Sequence, residues 1–373
     1  MMITQQSSLK RFNPPFRADH VGSLLRPDRL KKARQQRVNN TITQEQLRNI
    51  ENQEIKRIVD KQKEMGLSAV TDGELRRSWW HFDFLENLDG VEAFDAEAGL
   101  QFRQQQTKAR GIKVTDKIGF GHHPMLKDFK FLQSIAGSPV AKMTIPSPSM
   151  LRLRASFQEG VYNDPEAFTQ DLADAYKQAI QAFYDAGCRY LQLDDTAWAF
   201  LASDDERERM RSQGTDPDDL IALYADTINK AVEDRPDDLT ITMHICRGNY
   251  RSTWMYAGGY EPVAETLFDG VNVDGFFLEY DSDRAGDFKP LRFVKRKDLQ
   301  IVLGLVTSKH PELEKADDVK QRVEEATQFV DLNQLCLSPQ CGFASTEEGN
   351  MLTEEQQWAK LRHVTSIAQD IWK

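Results

Sequence analysis

Four side chains of metal-ligating type stand at the ends of apolar, strand-like runs in this sequence. His244 and Cys246 close the run LTITMHIC, Glu279 lies near the end of VDGFFLEY, and Cys341 closes NQLCLSPQC. Alternate residues of a β-strand point to the same side, so His244 and Cys246 can address one atom together. Two thiolates, an imidazole and a carboxylate form a tetrahedral zinc set, and soft sulfur disfavours magnesium or calcium. The sequence therefore predicts a Zn²⁺ site.

The charge of this ligand set indicates the chemistry that zinc would perform. Two thiolates and one carboxylate leave a net charge of about -1 around a divalent ion, which makes it a weak Lewis acid. Such a centre suits thiol activation, because an ordinary thiol with a pKa of about 8.5 is only slightly ionised at neutral pH. The predicted reaction class is alkyl transfer to a thiol.

Two plainer interpretations compete with a catalytic centre. Histidine and cysteine in one strand are commonly packing residues, and we interpret Cys188 and Cys336 in that way. A structural zinc site normally uses a short C-x₂₋₄-C knuckle, whereas these four ligands come from three separate predicted strands. The wide separation of the four ligands in the sequence favours a catalytic zinc site over a structural one.

Eight strand-like runs alternate with segments of helical spacing, and this alternation sets the predicted fold. The runs lie at 18–23, 68–74, 140–146, 189–195, 239–246, 273–280, 299–308 and 333–341. Helical spacing marks 44–65, 165–186, 216–233, 316–330 and 353–372. The pattern predicts an α/β fold, a (β/α)₈ TIM barrel, rather than a doubly wound sheet, since no G-x-G-x-x-G follows the first run. The carboxyl ends of barrel strands converge on one face, which would bring the four ligands together.

The simplest domain division is one barrel domain over residues 1–373 with a short N-terminal extension. The span 82–139 is longer than one helical crossover needs, so it is predicted to be an insertion between the second and third strands. Its most strand-like part, GIKVTDKIGFG, indicates a β-hairpin.

Composition excludes several classes of partner. Of the 373 residues, 40% are hydrophobic and 28% are charged, with a formal net charge of -10. An acidic chain without a basic patch is a poor match for nucleic acid or an anionic membrane. No apolar run has the length of a membrane span or a secretion signal, so a cytoplasmic location is expected. Four cysteines are too few for a disulfide framework in this length.

Several separated motifs, from about Phe16 to the C-terminus, resemble the cobalamin-independent methionine synthase family, especially its C-terminal catalytic-domain type and single-domain relatives. In that family an H-x-C pair, a glutamate and the cysteine of N/S-P-x-C-G bind zinc, and HIC, LEY and SPQCGF match them here. The resemblance implies methyl transfer to homocysteine or a similar small thiol, which forms methionine. The implied donor is 5-methyltetrahydrofolate or another methyl carrier, such as a carrier protein.

The resemblance also implies three substrate-binding residues. The family's I-G-S element reads VGS here and assigns the substrate carboxylate to Ser23. Glu74 in TDGELRR and Asp194 in LQLDDTAW would hold the substrate ammonium. On residue type alone, Ser23 is more simply a turn residue after glycine, and both acids fit the first turn of a helix equally well.

Two departures from the family pattern affect the mechanism. Where the family has a histidine after the seventh strand, this chain has Lys309 followed by His310, and either is a candidate for catalytic proton transfer. The family's folate-stacking tryptophan after the third strand has no counterpart between Thr144 and Phe157.

The missing tryptophan leaves an alternative function open: a zinc-dependent alkyl-thiol transferase or lyase of the same superfamily with a different donor or acceptor. A third hypothesis is a zinc-storing or thiol-binding barrel without turnover. A homo-oligomer is compatible with the sequence.

Overall fold

Parallel strands built from the apolar runs form the centre of the molecule. The computed structural model describes residues 11–102 and 105–373. A parallel sheet is formed by β1 Ala69–Val70, β4 Val140–Pro146, β6 Tyr190–Asp195, β7 Thr240–Ile245, β8 Gly275–Glu279, β9 Gln300–Val306 and β10 Leu335–Pro339. The order of these seven strands in the sheet is β1-β4-β6-β7-β8-β9-β10. The sheet curls into a barrel-like arrangement, and its strands are buried almost throughout, as expected for strands covered on both faces.

The first predicted strand, 18–23, is reduced to a single parallel bridge between Ala18 and Leu337 of β10. The carboxylate of Asp19 accepts hydrogen bonds from the backbone amides of Phe16 and His20. These amides are therefore satisfied locally rather than by a neighbouring strand. Beyond the bridge, the Leu24 amide donates to the Gly73 carbonyl just after β1. The predicted α/β fold of TIM-barrel type is confirmed, with this one strand irregular.

Helices cover the sheet, and several begin at the residues expected to cap them. Thr43 and Thr353 form capping boxes, and Asp164 and Asp216 accept hydrogen bonds from backbone amides of the first turn. The α-helices are α1 Asp28–Val38, α2 Gln44–Glu64, α3 Phe82–Leu85, α4 Met125–Ala136, α5 Pro148–Arg154, α6 Pro165–Asp185, α7 Ala197–Leu201, α8 Asp204–Ser212, α9 Pro217–Val232, α10 Ala316–Ala326 and α11 Glu354–Ile371. Shorter turns are a π-helical turn at Thr266–Gly270 and 3₁₀ turns at Asp283–Ala285, Lys289–Phe293 and Leu332–Gln334. No helix within the described ranges is long and apolar enough to cross a membrane.

A small second sheet lies within and beside the span 82–139. Strands β2 Asp89–Asp95 and β3 Arg110–Gly119 pair in antiparallel fashion, and β3 also pairs in parallel with β5 Ala155–Phe157. The predicted β-hairpin is confirmed, and GIKVTDKIGFG contributes most of β3. The division of residues 1–373 into one domain with an insertion at 82–139 stays a prediction.

Candidate metal centre and substrate pocket

The four predicted metal ligands meet at the carboxyl ends of strands β7, β8 and β10. One ligand atom from each of His244, Cys246, Glu279 and Cys341 lies within 4.8 Å of the others, and all four residues are buried. Glu279 is the last residue of β8, His244 lies in β7, and the two cysteines follow the ends of β7 and β10. The barrel therefore brings together residues that are far apart in sequence.

The imidazole of His244 is oriented so that one nitrogen faces the cluster. Nδ1 lies 3.2 Å from the carbonyl oxygen of Phe277, an arrangement that places the ring proton on Nδ1. Nε2 is buried and has no hydrogen-bond partner among residues 11–102 and 105–373. A buried nitrogen of this kind suits a metal ligand, because unpaired buried polar atoms are otherwise costly.

Cys246 and Cys341 share a proton. Their sulfur atoms lie 3.5 Å apart. The hydrogen bond to Cys341, with burial, raises the pKa of Cys246, while the same hydrogen bond lowers the pKa of Cys341. The backbone amide of Gly248 also donates to the sulfur of Cys246, at 3.3 Å. The hydrogen bond between the two sulfur atoms therefore favours a thiolate on Cys341 next to a thiol on Cys246.

Burial is the largest single influence on the pKa of His244 and lowers it, but the adjacent Cys341 sulfur and the other negative groups around the ring together raise it by more, so the net shift is upward from the ordinary value. The negative charges of Asp194 and Glu279 act in the same direction. A divalent cation would replace the proton in this negative environment, because metal binding requires a neutral imidazole and deprotonated thiols.

The Glu279 carboxylate is held on both oxygens. Oε1 accepts a hydrogen bond of 2.8 Å from the Arg247 amide, and Oε2 accepts one of 3.1 Å from Arg284. Lys309 Nζ lies 3.9 Å from the same Oε2. Contacts of this kind orient a ligating carboxylate. The sulfur, nitrogen and oxygen donors together fit zinc.

The predicted carboxylate-binding residue, Ser23, lies against the Cys341 loop. Its Oγ accepts a hydrogen bond of 3.4 Å from the Ala344 amide, and its carbonyl accepts one from Phe343. A Cβ on Gly342 would lie 2.0 Å from Ser23 Oγ. Glycine in the CGF motif thus permits the close approach of the two loops.

Glu74 is held in a conformation that non-glycine residues rarely adopt. Its φ is +57°, in the left-handed region, which indicates strain of the kind found at functional sites. Oε1 accepts a hydrogen bond of 2.9 Å from Thr144, and Arg77 Nη1 lies 3.6 Å from it. Oε2 is buried without a partner within the described parts of the chain. Burial raises the pKa of Glu74. The free oxygen is available to a cationic group.

Asp194 lies beside His244 in the register of β6 and β7. Gln192 Nε2 donates to its Oδ1 at 2.7 Å. Burial raises the pKa of Asp194 to about 7, with the nearby carboxylate of Glu74 adding to the shift. Two buried carboxylates so placed would gain a compensating charge from a substrate ammonium.

A single small cavity joins the metal cluster to the three predicted substrate residues. Its volume is about 20 Å³, and we call it the amino-acid pocket. It is lined by Ser23, Glu74, Trp80, Asp194, His244, Cys246 and Cys341, with Val21, Gly342 and Ser345. The cavity therefore borders both the four candidate metal ligands and the three residues predicted to bind the substrate.

The two predicted catalytic residues border the same outer pocket but differ in burial. Lys309 is buried next to Glu279, and its Nζ has no hydrogen-bond partner among the described residues. His310 is exposed and lines an outer pocket of about 420 Å³ together with Lys309 and Arg284. Neither Lys309 nor His310 lines the amino-acid pocket.

Sequence reasoning missed two residues that shape the pocket. Thr144, on β4, holds Glu74 in place, and Asn249 Nδ2 donates to the Gly342 carbonyl at 2.7 Å. Asn249 follows Cys246 by three positions, and this proximity was the only available signal. Thr144 carries no such signal, because its partner is distant in sequence.

Comparison with known proteins places this arrangement in context. Residues 16–369 match the family model described as "Cobalamin-independent synthase, Catalytic domain". The chain is 65% identical over 370 residues to "Uncharacterized protein YxjG" of Bacillus subtilis (strain 168), covering 99% of this chain and 98% of that protein. A crystal structure described as a putative vitamin-B12 independent methionine synthase from Listeria monocytogenes has 51% identity and a TM-score of 0.81, covering 97% of this chain and 100% of that one. A B12-independent methionine synthase from Shewanella sp. W3-18-1, in complex with selenomethionine, shares the fold at 19% identity, with a TM-score of 0.71 over 95% of this chain and 97% of that one.

Proposed function

Because the chain belongs to the family of cobalamin-independent synthase catalytic domains, and is thus a methyltransferase of the methionine synthase type, we propose that it makes methionine from homocysteine with the help of zinc. The proposed methyl donor is 5-methyltetrahydrofolate or another methyl carrier. The convergence of four ligand atoms within 4.8 Å, in a cavity shared with Ser23, Glu74 and Asp194, carries this proposal.

Each buried group has a proposed task. His244, Cys246, Glu279 and Cys341 would hold zinc, which when bound supplies a thiolate at neutral pH from the incoming thiol. Ser23 would bind the substrate carboxylate. Glu74 and Asp194 would hold its ammonium through charge-assisted hydrogen bonds. The selenomethionine bound to the Shewanella protein is consistent with an amino acid of this shape.

Of the two residues proposed for catalysis, Lys309 is the better placed. Its Nζ lies 3.9 Å from Glu279 Oε2, where its charge can orient this carboxylate. His310 lies on the outer pocket, and its proposed part in proton transfer would have to involve solvent there. A cytoplasmic location is proposed because all four cysteines are free thiols.

The proposal is tested by metal analysis followed by a methyl-transfer assay. We expect close to one zinc per chain and methionine formation that requires both homocysteine and a donor. Metal-free protein that retains full methyl transfer would refute the zinc-dependent mechanism.

A second candidate is a zinc-dependent alkyl-thiol transferase or lyase with another donor or acceptor. It is favoured by the absence of tryptophan between Thr144 and Phe157, where the family's folate-stacking ring is expected. A panel of donors with homocysteine as the fixed acceptor separates the two. Tight zinc without turnover for any donor or acceptor would instead support the non-catalytic hypothesis.

A further inference from the structure

A second cavity borders Cys246 and adjoins the amino-acid pocket, with which it also shares Ser345. Its volume is about 30 Å³, and Cys246 and Trp80 line both cavities. We call it the aromatic slot and define it by Trp79, Trp80, His81, Phe102, Arg154 and Cys246. A group bound in the slot would lie beside the position proposed for the substrate sulfur.

Polar atoms in the slot are buried without partners. His81 is 2% exposed, and neither of its ring nitrogens has a hydrogen-bond partner within residues 11–102 and 105–373. Arg154 Nε is also buried and unpaired there. Buried polar groups are nearly always satisfied by protein or by a bound molecule. These atoms therefore indicate that the slot receives a ligand.

The size of the slot limits this ligand. A cavity needs roughly 10–15 Å³ to hold one water, whereas pockets for drug-sized ligands measure roughly 300–1,000 Å³. At about 30 Å³ the slot itself accepts only a small group, such as the methylated centre of a donor, and the rest of any donor must extend from the slot or displace its walls.

The walls of the slot favour a cation at this point. The rings of Trp79, Trp80 and Phe102 line it, and aromatic faces attract methylated cations. A metal site with several thiolate ligands adds negative charge next to the slot. Arg154 is the cationic side chain among the described lining residues, and its unpaired Nε suits a carboxylate.

The lack of an acidic proton donor among the described residues of the slot gives a further reason to expect a positively charged methyl donor. A methyl group that leaves a neutral tertiary amine leaves negative charge on nitrogen unless an acid protonates it. None of the described residues that line the slot carries a carboxyl group. Burial, together with the charge of Arg154, lowers the pKa of His81 well below its ordinary value. A donor whose leaving group departs as a neutral molecule needs no acid in the slot.

We propose that the aromatic slot binds a small methyl donor that carries its methyl group on a sulfonium or quaternary ammonium centre and also bears a carboxylate. This inference rests on the proposed function. The bond between the homocysteine sulfur and the methyl carbon forms, and the bond from that carbon to the positively charged sulfur or nitrogen breaks. The electron pair stays on the leaving atom, which becomes a neutral thioether or tertiary amine. The thiol proton passes to solvent when the thiol binds.

Binding to the zinc-loaded full chain is the first test. The probes are dimethylsulfonioacetate and glycine betaine, and the control is 3,3-dimethylbutanoate, which has the shape of glycine betaine without its positive charge. By calorimetry, we expect the probes to bind at least about tenfold more tightly than the control. Equal binding of glycine betaine and 3,3-dimethylbutanoate would overturn the proposal.

Variants locate the binding site. Phe102→Leu should weaken both onium probes about tenfold and leave 3,3-dimethylbutanoate unaffected, whereas Arg154→Gln should weaken all three carboxylates. Phe94→Leu, which changes an exposed ring on β2, is the matched control and should bind as the unchanged protein does. Zinc content and thermal unfolding establish that each variant is folded. Onium binding that is insensitive to both Phe102→Leu and Arg154→Gln would place the ligand elsewhere and refute the assignment.

Methyl transfer completes the test and separates this inference from the proposed function. Homocysteine binding measured without any donor tests the zinc and amino-acid sites, while onium binding without homocysteine tests the slot. With both present, we expect methionine together with methylthioacetate or dimethylglycine. A protein that binds homocysteine but transfers methyl only from 5-methyltetrahydrofolate would retain the proposed function and overturn the onium donor.

Discussion

Replacing Cys341 by serine should remove most of the zinc affinity of this protein. The substitution deletes one of four ligand atoms that lie within 4.8 Å of one another, and it replaces a thiolate by a neutral hydroxyl. Zinc sites with four protein ligands bind with roughly 10–16 kcal/mol near neutral pH, so one ligand contributes on the order of 3 kcal/mol. The expected loss in zinc affinity is therefore about 100-fold.

The same loss should appear in the free energy of unfolding. A ligand present at 1,000 times its dissociation constant stabilises the folded state by about 4.1 kcal/mol, and at 10 times by about 1.4 kcal/mol. At a fixed zinc concentration in this range, Cys341→Ser should thus lose about 2.7 kcal/mol of the stabilisation conferred by zinc. Denaturant unfolding with and without zinc measures this difference, and competition with a chromophoric chelator measures the affinity.

Cys336→Ser is the matched control. Cys336 lies on β10, five residues before Cys341, and is equally buried, but its sulfur faces the Pro15 carbonyl at 3.7 Å. Burial raises the pKa of Cys336 to about 11, so it is a neutral thiol. This variant should lose some stability with and without zinc, yet keep its zinc affinity. If Cys341→Ser bound zinc as tightly as the parent, or if Cys336→Ser lost as much affinity, the four-ligand centre would be wrong.

Three further predictions concern the substrate and the catalytic candidates. The affinity for homocysteine should fall by up to about tenfold per pH unit below 7, because protonation of Asp194, whose pKa is about 7, removes the negative charge that faces the ammonium. In the Asp194→Asn variant, the pH dependence of the affinity should lack this step. An unchanged pH profile in that variant would contradict the assignment. Glu74→Gln should raise KM for homocysteine roughly 10–100-fold with zinc content unchanged, since a hydrogen bond to a charged group contributes about 1.5–3 kcal/mol. An unaltered KM would count against the ammonium site. Lys309→Met should lower kcat more than about tenfold, because it removes a cation 3.9 Å from Glu279. His310→Ala should change kcat less than about twofold. Steady-state rates that show the reverse order would restore His310 as the catalytic group.

The clustering of the four candidate metal ligands could be predicted from the sequence because it depends on one general property of the fold. Strand-like runs separated by helical segments predict a barrel of parallel strands, and the ends of such strands meet on one face. His244 and Glu279 could therefore be placed together without coordinates. The family resemblance, now confirmed, supplied Ser23, Glu74 and Asp194, whose roles stay predictions.

Only the tertiary structure determines the contacts of individual polar side chains, which the spacing of apolar residues does not encode. Lys309 and His310 are neighbours in sequence, and only the path of the chain after β9 shows that the lysine is buried beside Glu279 and the histidine exposed. The strained backbone of Glu74 and its contact with Thr144, 70 residues away, likewise depend on how distant segments pack. A pattern of apolar residues specifies which side of an element is buried, whereas the partner of a buried polar atom is fixed only when separate elements come into contact.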